Sequence, residues 1–328
     1  MPEGEPDEGH SRLPVSVIIP TFNRADTLPR ALDSIHAQRP FAPAEVIVVD
    51  DHSDDESAEI ARRCGARVIR HERNQGAAAA RNTAVAAATQ PWLALLDSDD
   101  EWLPDHLDVL WRLKAGHVLV AGASMACFDE PGQPPAYAGT IRPRAHTLRS
   151  PAALIPLNPL SASGVLVSRD AVVGAGGYNT ELGYAEDWDL WLRVLERGTG
   201  VITPMVVCLY HVHAGSKSLH ADGPVQTHDR IVRSCIGRPW WRARLLDRWC
   251  GLRLWAALEA ALAARQRRRA AMLAARLVAR PQRLWAVVAR RVQFALWMRR
   301  SRRLASRDQR VVAALQAQAL AAASGERA

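Results

Sequence analysis

The sequence predicts an α/β fold, a mostly parallel sheet sandwiched by helices, followed by a helical, basic C-terminal extension. Three observations lead there. From Val15 to Leu96, β-branched runs alternate with helical stretches, the order expected of βαβ units on a parallel sheet. Two of these apolar runs discharge into aspartates, at Asp50-Asp51 and at Asp97-Ser98-Asp99-Asp100. The net charge of +8 is also unevenly divided: residues 230–328 hold 23 Arg, no Lys and 4 acids, or +19, leaving −11 for residues 1–229.

The first strand is Val15-Ser16-Val17-Ile18-Ile19-Pro20, an unbroken apolar run suited to burial on both faces. Thr21 to Arg24 form a turn, and Ala25 to Gln38 read as a helix. Glu45 to Val49 are the second strand, Ser57 to Cys64 the next helix, and Arg67 to Arg70 a short third strand. After Asn74-Gln75-Gly76, an alanine-rich helix runs from Ala77 to Ala88, and Trp92 to Leu96 form the strand that reaches the acidic stretch. A further helix begins near Pro104. Ala121 to Arg149, with four prolines, reads as an irregular loop; Leu160 to Val167 lead into a strand, Glu186 opens a helix, and Val206 to Tyr210 are the last strand. Met1 to residue 12 read as a disordered leader, acidic where a signal peptide would be basic.

Composition narrows the function. No stretch approaches the roughly 18 apolar residues of a spanning helix. Five scattered cysteines form neither a zinc pattern nor a disulfide framework, which suits a reducing cytoplasm. In the extension, Trp241, Leu245, Trp249, Leu252 and Ala256 recur at helical spacing, as do Trp285, Val288, Val292 and Leu296, among Arg clusters at 267–269, 290–291, 299–300 and 302–303. Trp and Arg on helices suit peripheral contact with an anionic membrane at its inner face; ordinary helix packing with solvated arginines is the plain alternative. Charge alone also permits nucleic-acid binding, but no recognised motif supports it.

In a parallel sheet, strands ending in Asp50-Asp51 and Asp97/Asp99 open onto one edge, where α/β folds bind ligands and helix N-termini favour phosphate. Clustered carboxylates call for a cation, and hard divalent ions choose such oxygens together with substrate phosphates. A nucleoside diphosphate with a metal meets both demands. Helix capping would explain either aspartate pair separately.

Four segments then carry a resemblance: Val17 to Arg24, Val48 to Asp55, Asn74-Gln75-Gly76 with Ala80-Arg81-Asn82, and Leu96 to Asp100. In this order and spacing they resemble the successive motifs of family 2 glycosyltransferases of the GT-A fold, and the similarity runs to about residue 220. The resemblance implies a nucleotide-diphospho-sugar donor, an inverting transfer to a saccharide or lipid-linked saccharide, and a role in surface polysaccharide or glycoconjugate synthesis. It divides the chain into a GT-A domain over 13–229, with a nucleotide-sugar half (13–103) and an acceptor half (104–229), and an Arg/Trp-rich extension over 230–328.

Residue by residue, the resemblance puts Pro20, Thr21 and Asn23 at the nucleoside, Asp51 at its base or ribose, and Arg81 and Asn82 on that side of the pocket, with Asp50 the structural cap. Asp97 and Asp99 would hold Mn²⁺ or Mg²⁺, Asp99 more directly, with His213 assisting. Asp187, in Glu186-Asp187, matches the family's base; a carboxylate within reach of a hydroxyl can play that part, while the pair could equally favour the first helical turn. His211 stands where the family often has Arg, so Lys217 or the metal must neutralise the leaving diphosphate.

Three rivals remain. A nucleotidyltransferase would show a Gly-rich triphosphate loop where this chain has Pro20-Thr21-Phe22-Asn23. A non-catalytic nucleotide-sugar binder would lack Asp97, Asp99 or Asp187. A membrane-associated scaffold would act through the tail and need no cleft.

Overall fold

The computed structural model describes residues 11–128, 136–138, 144–155, 158–213, 222–242 and 265–279, with residues 245, 249, 250, 254, 255, 258, 262, 287 and 288. Residues 1–10, the prolines at 131, 134, 135 and 143, Lys217, Trp285, Val292, Leu296 and the Arg clusters from 290 onward lie outside this set.

Among the described residues ten strands form one sheet, in the order β3-β2-β1-β4-β9-β6-β10-β5, with β7 beside β6 and β8 beside β10. The strands are β1 (Ser11–Thr21), β2 (Phe41–Asp50), β3 (Arg67–Arg70), β4 (Trp92–Leu95), β5 (Glu101–Trp102), β6 (Leu119–Phe128), β7 (Ala136–Ala138), β8 (His146–Leu148), β9 (Val165–Ser168) and β10 (Gly200–Val212). Pairings β1/β2, β1/β4, β2/β3 and β6/β10 are parallel; β9, β5, β7 and β8 run against their neighbours. Because β9 is antiparallel to both β4 and β6, the strands β1, β2, β3, β4, β6 and β10 point the same way. Their C-terminal ends therefore share one edge, and Asp51, Asp97, Asp99 and His213 all follow strands that finish there.

β1 shows why its sequence is apolar throughout. Val17 and Ile19 face one core with Leu28, Leu32 and Ile35 of α1 (Leu28–His36), while Ile18 faces the other with Ala80 and Ala84 of α3 (Ala77–Ala87). On the first side lie α2 (Ser57–Arg63) and α4 (His106–Leu113); on the second lie α5 (Arg169–Gly174), α6 (Glu186–Val194) and α7 (Asp222–Ser234). The remaining described helix is α8 (Arg267–Val278). A sheet covered on both faces is what continuous Val/Ile runs predict.

Three expectations are corrected. Ser11 and Arg12 pair with Phe41 and Ala42 in the sheet, so the leader does not extend to residue 12. The segment taken as an irregular loop from Ala121 opens with β6, a buried strand between β9 and β10. Its sequence hid it: small residues replace β-branched ones, and at Gly122 a Cβ would stand 2.3 Å from Val207 Cγ2, so close strand packing excludes any larger side chain. The division expected at 229/230 falls inside α7, and Ile231, Val232, Cys235, Leu245 and Trp249 belong to the same core as Trp188 and Trp191 of α6.

Candidate active site

The nucleoside side is built at the ends of β1 and β2. Asn23 adopts a left-handed backbone (φ 51°), its N–H donating to Ser53 Oγ (2.9 Å) and its Oδ1 accepting from the Asp54 N–H (2.8 Å). These bonds lock the two loops together. Pro20 is half-buried beside them, and Thr21 Oγ1 is buried without a partner among the described residues. Asp50 accepts from the Ser53 N–H (3.1 Å) and pairs with Arg70 Nε (3.3 Å). Asp51, 3% exposed, accepts from the N–H groups of Gln75 (2.9 Å) and Gly76 (2.6 Å), and its Oδ1 lies 2.6 Å from His71 Nδ1. Gly76 is fixed at φ 87°, a conformation an L side chain resists, immediately before α3. The Asn74-Gln75-Gly76 turn thus exists to bring main-chain donors onto Asp51.

α3 carries Arg81 inward. Its guanidinium, 6% exposed, forks between two motifs: Nη2 donates to Asp97 Oδ1 at 2.6 Å and Nη1 to Glu186 Oε1 at 2.7 Å. The Tyr178 ring lies beneath it, 5.5 Å from Cζ, with its hydroxyl buried and unpartnered among the described residues. Asn82 clamps the Tyr178 main chain in both directions, Nδ2 donating to its carbonyl (2.8 Å) and Oδ1 accepting from its N–H (2.7 Å). Gly177 is required there, because a Cβ would lie 2.6 Å from Asn82 Oδ1. Arg81 and Asn82 are therefore engaged by protein groups that tie α3 to Tyr178 and Glu186, well inside the acceptor half.

Asp97, Asp99 and Asp100 turn three ways. The Asp97 N–H donates to Ser163 Oγ (3.1 Å). Asp100 is buried, accepts from the Ser163 hydroxyl and from the His211 N–H (3.1 Å), and is held well above the usual carboxylate range by burial and then by the charges of Asp97 and Asp99. Asp99 faces the cleft: Oδ2 is 3.0 Å from His213 Nε2 and 3.4 Å from Arg24 Nη2, and its carbonyl accepts from Arg30 Nη2 (2.9 Å). His211 points elsewhere, its Nε2 3.8 Å from Glu101 Oε2. An Asp99 carboxylate beside a His213 imidazole is a donor pair that fits a divalent ion. Among the described residues no group of three or more His, Cys, Asp or Glu forms a closed cage. Two protein groups with positions left for phosphate oxygens match the way Mg²⁺-type ions are bound in nucleotide sites.

On the acceptor side, the chain enters α6 through Ala185 in a left-handed conformation (φ 57°), which sets Glu186 and Asp187 on the first turn. Trp188 packs inward, Nε1 donating to the Leu154 carbonyl (3.1 Å). Asp187 Oδ1 accepts the main-chain N–H of its neighbour Trp188 at 2.7 Å. Burial and the adjacent Glu186 push its pKa up to about 7, against the opposing pull of Arg81. A carboxyl poised near neutrality can take a proton from a hydroxyl.

The sequence-predicted groups thus gather in three clusters, two of which Arg81 joins. Tyr178 and Ser163, which support two of them, had no sequence signal, one sitting in a glycine turn and the other in a run of small residues. Arg24 stood in a quoted motif, and only the fold puts it at Asp99.

Comparison with known proteins agrees with this architecture. The profile described as Glycosyl transferase family 2 matches residues 16–172. The succinoglycan biosynthesis protein ExoU of Rhizobium meliloti (strain 1021) is 35% identical over 205 residues, covering 56% of this chain and 57% of that protein; the chain thus spans little more than half of it. The amylovoran biosynthesis glycosyltransferase AmsE of Erwinia amylovora is 29% identical over 214 residues, 61% of this chain and 76% of that one. Among solved structures, S. aureus TarS 1-349 in complex with UDP-GlcNAc aligns with a TM-score of 0.59 at 19% identity, covering 72% of this chain and 71% of that chain. That last likeness speaks for the fold alone.

Proposed function

The chain belongs to glycosyl transferase family 2, and on that premise we propose that it is an inverting glycosyltransferase, moving a hexosyl or related sugar from a nucleotide-diphosphate donor to a hydroxyl acceptor in surface polysaccharide or glycoconjugate synthesis. The observation that carries the reading is the Arg81 fork, which joins the Asp97 carboxylate to Glu186 and so sets the base Asp187 beside the donor cleft.

Pro20, Thr21 and Asn23 meet the nucleoside at the end of β1, over a floor that Asp51 holds in place. Asp187 accepts the acceptor proton as that oxygen attacks the anomeric carbon. The bond from that carbon to the diphosphate breaks on the opposite face, so configuration inverts in one displacement. Asp99 and His213 would hold Mn²⁺ or Mg²⁺ with Asp97 alongside, and the imidazole tilts the choice toward Mn²⁺. Such an ion supplies Lewis-acid stabilisation of the leaving diphosphate. Arg24 stands where that charge gathers, a cation that compensates for the histidine at 211. Arg81 and Asn82 act as supports for the carboxylates and for Tyr178. A saccharide, free or lipid-linked, is the acceptor, and five cysteines of which none forms a disulfide support a reducing, cytoplasmic setting.

Calorimetric titration of UDP, GDP and dTDP into the protein, with Mn²⁺ and with EDTA, tests this reading, followed by assay of the corresponding nucleotide sugars. Binding of one nucleotide and release of it from its sugar ester are expected. A folded protein that binds none of the three would remove the donor site and the proposal with it.

A further inference from the structure

The extension does two different things along its length. Its near part is bolted to the body. Trp249 packs on Trp188 (5.8 Å between rings) and its Nε1 donates to Asp229 (2.6 Å); Trp240 Nε1 donates to Glu196 (2.7 Å); Arg230 and Arg238 pair with Glu181 and Glu196. Trp249, which the sequence offered as a membrane anchor, is turned inward.

α8 is arranged differently. Ala270, Leu273 and Leu277 form its inner stripe, covered by Leu254, Trp255, Leu258 and Val287. Opposite that stripe stand Arg268 and, one turn on, Met272, the latter 48% exposed; the exposed Arg267 and Arg269 flank them on either side, and the helix ends at Val278, 63% exposed. Leu262 and Val288, on the segments packed beside it, are also exposed. Among the described residues past Asp229 there is no aspartate or glutamate, and over residues 230–328 arginine outnumbers acid 23 to 4.

We propose that the outward face of α8 is a docking surface for an anionic lipid bilayer. Guanidiniums at headgroup level with a Met and aliphatic side chains reaching below them is the composition of an interfacial helix. A phosphodiester backbone would use the charge alone and leave Met272, Val278 and Leu262 without a purpose. The body, at −11 for residues 1–229, is repelled by the same surface, so attraction is confined to the extension and orients the molecule. No helix among the described residues is long and apolar enough to cross a membrane; the contact lies on the surface.

The test is flotation of the full-length protein with phosphatidylglycerol–phosphatidylcholine vesicles and with pure phosphatidylcholine vesicles, in low and high salt, beside a duplex DNA binding assay. The wild type is expected to float with the anionic vesicles alone and to be released by salt. Reversing three surface charges (R267E, R268E and R269E together) should weaken vesicle partitioning by at least about tenfold, and Met272→Asp should weaken it without changing charge-driven DNA binding in proportion. Unchanged circular dichroism and melting temperature show that these exposed positions leave the fold intact. No flotation of the wild type, equal flotation of the triple variant, or binding to DNA without binding to vesicles would each overturn the proposal.

Discussion

Arg81 Nη1 lies 2.7 Å from Glu186 Oε1, so a side chain of the donor half, 105 positions earlier in the chain, holds the carboxylate next to Asp187. The same guanidinium holds Asp97. Glu186 and Asp187 are neighbours with different duties: one is fixed by the fork, and the other is left with its basicity raised.

Replacing Asp187 by Asn should remove the base and keep the cleft. Sugar transfer is expected to fall by about 10²–10⁴-fold, with nucleotide affinity by calorimetry within about twofold of wild type. In the wild type, kcat/KM should rise with pH and level off above about 7, because the ionised carboxylate is the active form. A flat profile from pH 5 to 8 would remove Asp187 from the role.

The same shift has a stability consequence of opposite sense to the usual carboxylate. A folded pKa above the unfolded one means that the native state binds the extra proton, so Asp187 contributes stability at low pH that is lost as pH rises from about 4 to about 7. At pH 8 Asp187→Asn should therefore be more stable than wild type by ~1–3 kcal/mol, read from urea melts at pH 5 and pH 8; the difference should shrink at the lower pH.

Breaking the fork should be expensive. Arg81→Met leaves Asp97 and Glu186 facing each other without their cation, a loss of about 3–5 kcal/mol for a buried pair. Adding Glu186→Gln should restore part of it, and the double-mutant cycle measures the coupling. Additive effects would show that the two groups do not share an interaction.

Asp99→Ala and His213→Ala address the metal. Each should lower the Mn²⁺-dependent part of nucleoside diphosphate binding at least about tenfold and leave the EDTA value nearly unchanged. Equal losses with and without the ion would assign these residues to some other contact.

Trp249→Ala removes a ring wedged behind the base helix, and a loss of about 3–5 kcal/mol is expected in chemical denaturation. Ending the chain at residue 229 cuts α7 and strips Ile231, Val232 and Cys235 from the main core, so that shorter protein should lose its cooperative transition.

How much was legible follows from which forces are local. The β-branched strands, the alanine helix after Gly76 and the carboxylates at strand ends announce themselves through pattern, and β3 and the start of α6 agree with the structure to the residue. β6 did not, because its smallness answers to Val207 on a neighbouring strand rather than to any periodicity of its own. The separation of duties among Asp97, Asp99 and Asp100 was invisible for the same reason. Their partners stand on other elements: Arg81 on the preceding helix, and His213 and Ser163 far along the chain. Of the Trp stripe, Leu245 and Trp249 lie on helical backbone while Trp241 stands in the non-helical stretch before it, and spacing alone does not say which surface they cover.

The packing of Trp249 and α7 behind Asp187 also sets where this protein can be cut and rejoined. A chimera that grafts another family member's tail at the end of β10 would exchange part of the wall behind its own base. One joined beyond residue 250 would carry that wall intact and swap only the far, arginine-rich end, which makes the second junction the natural seam for exchanging the extension without disturbing the core behind Asp187.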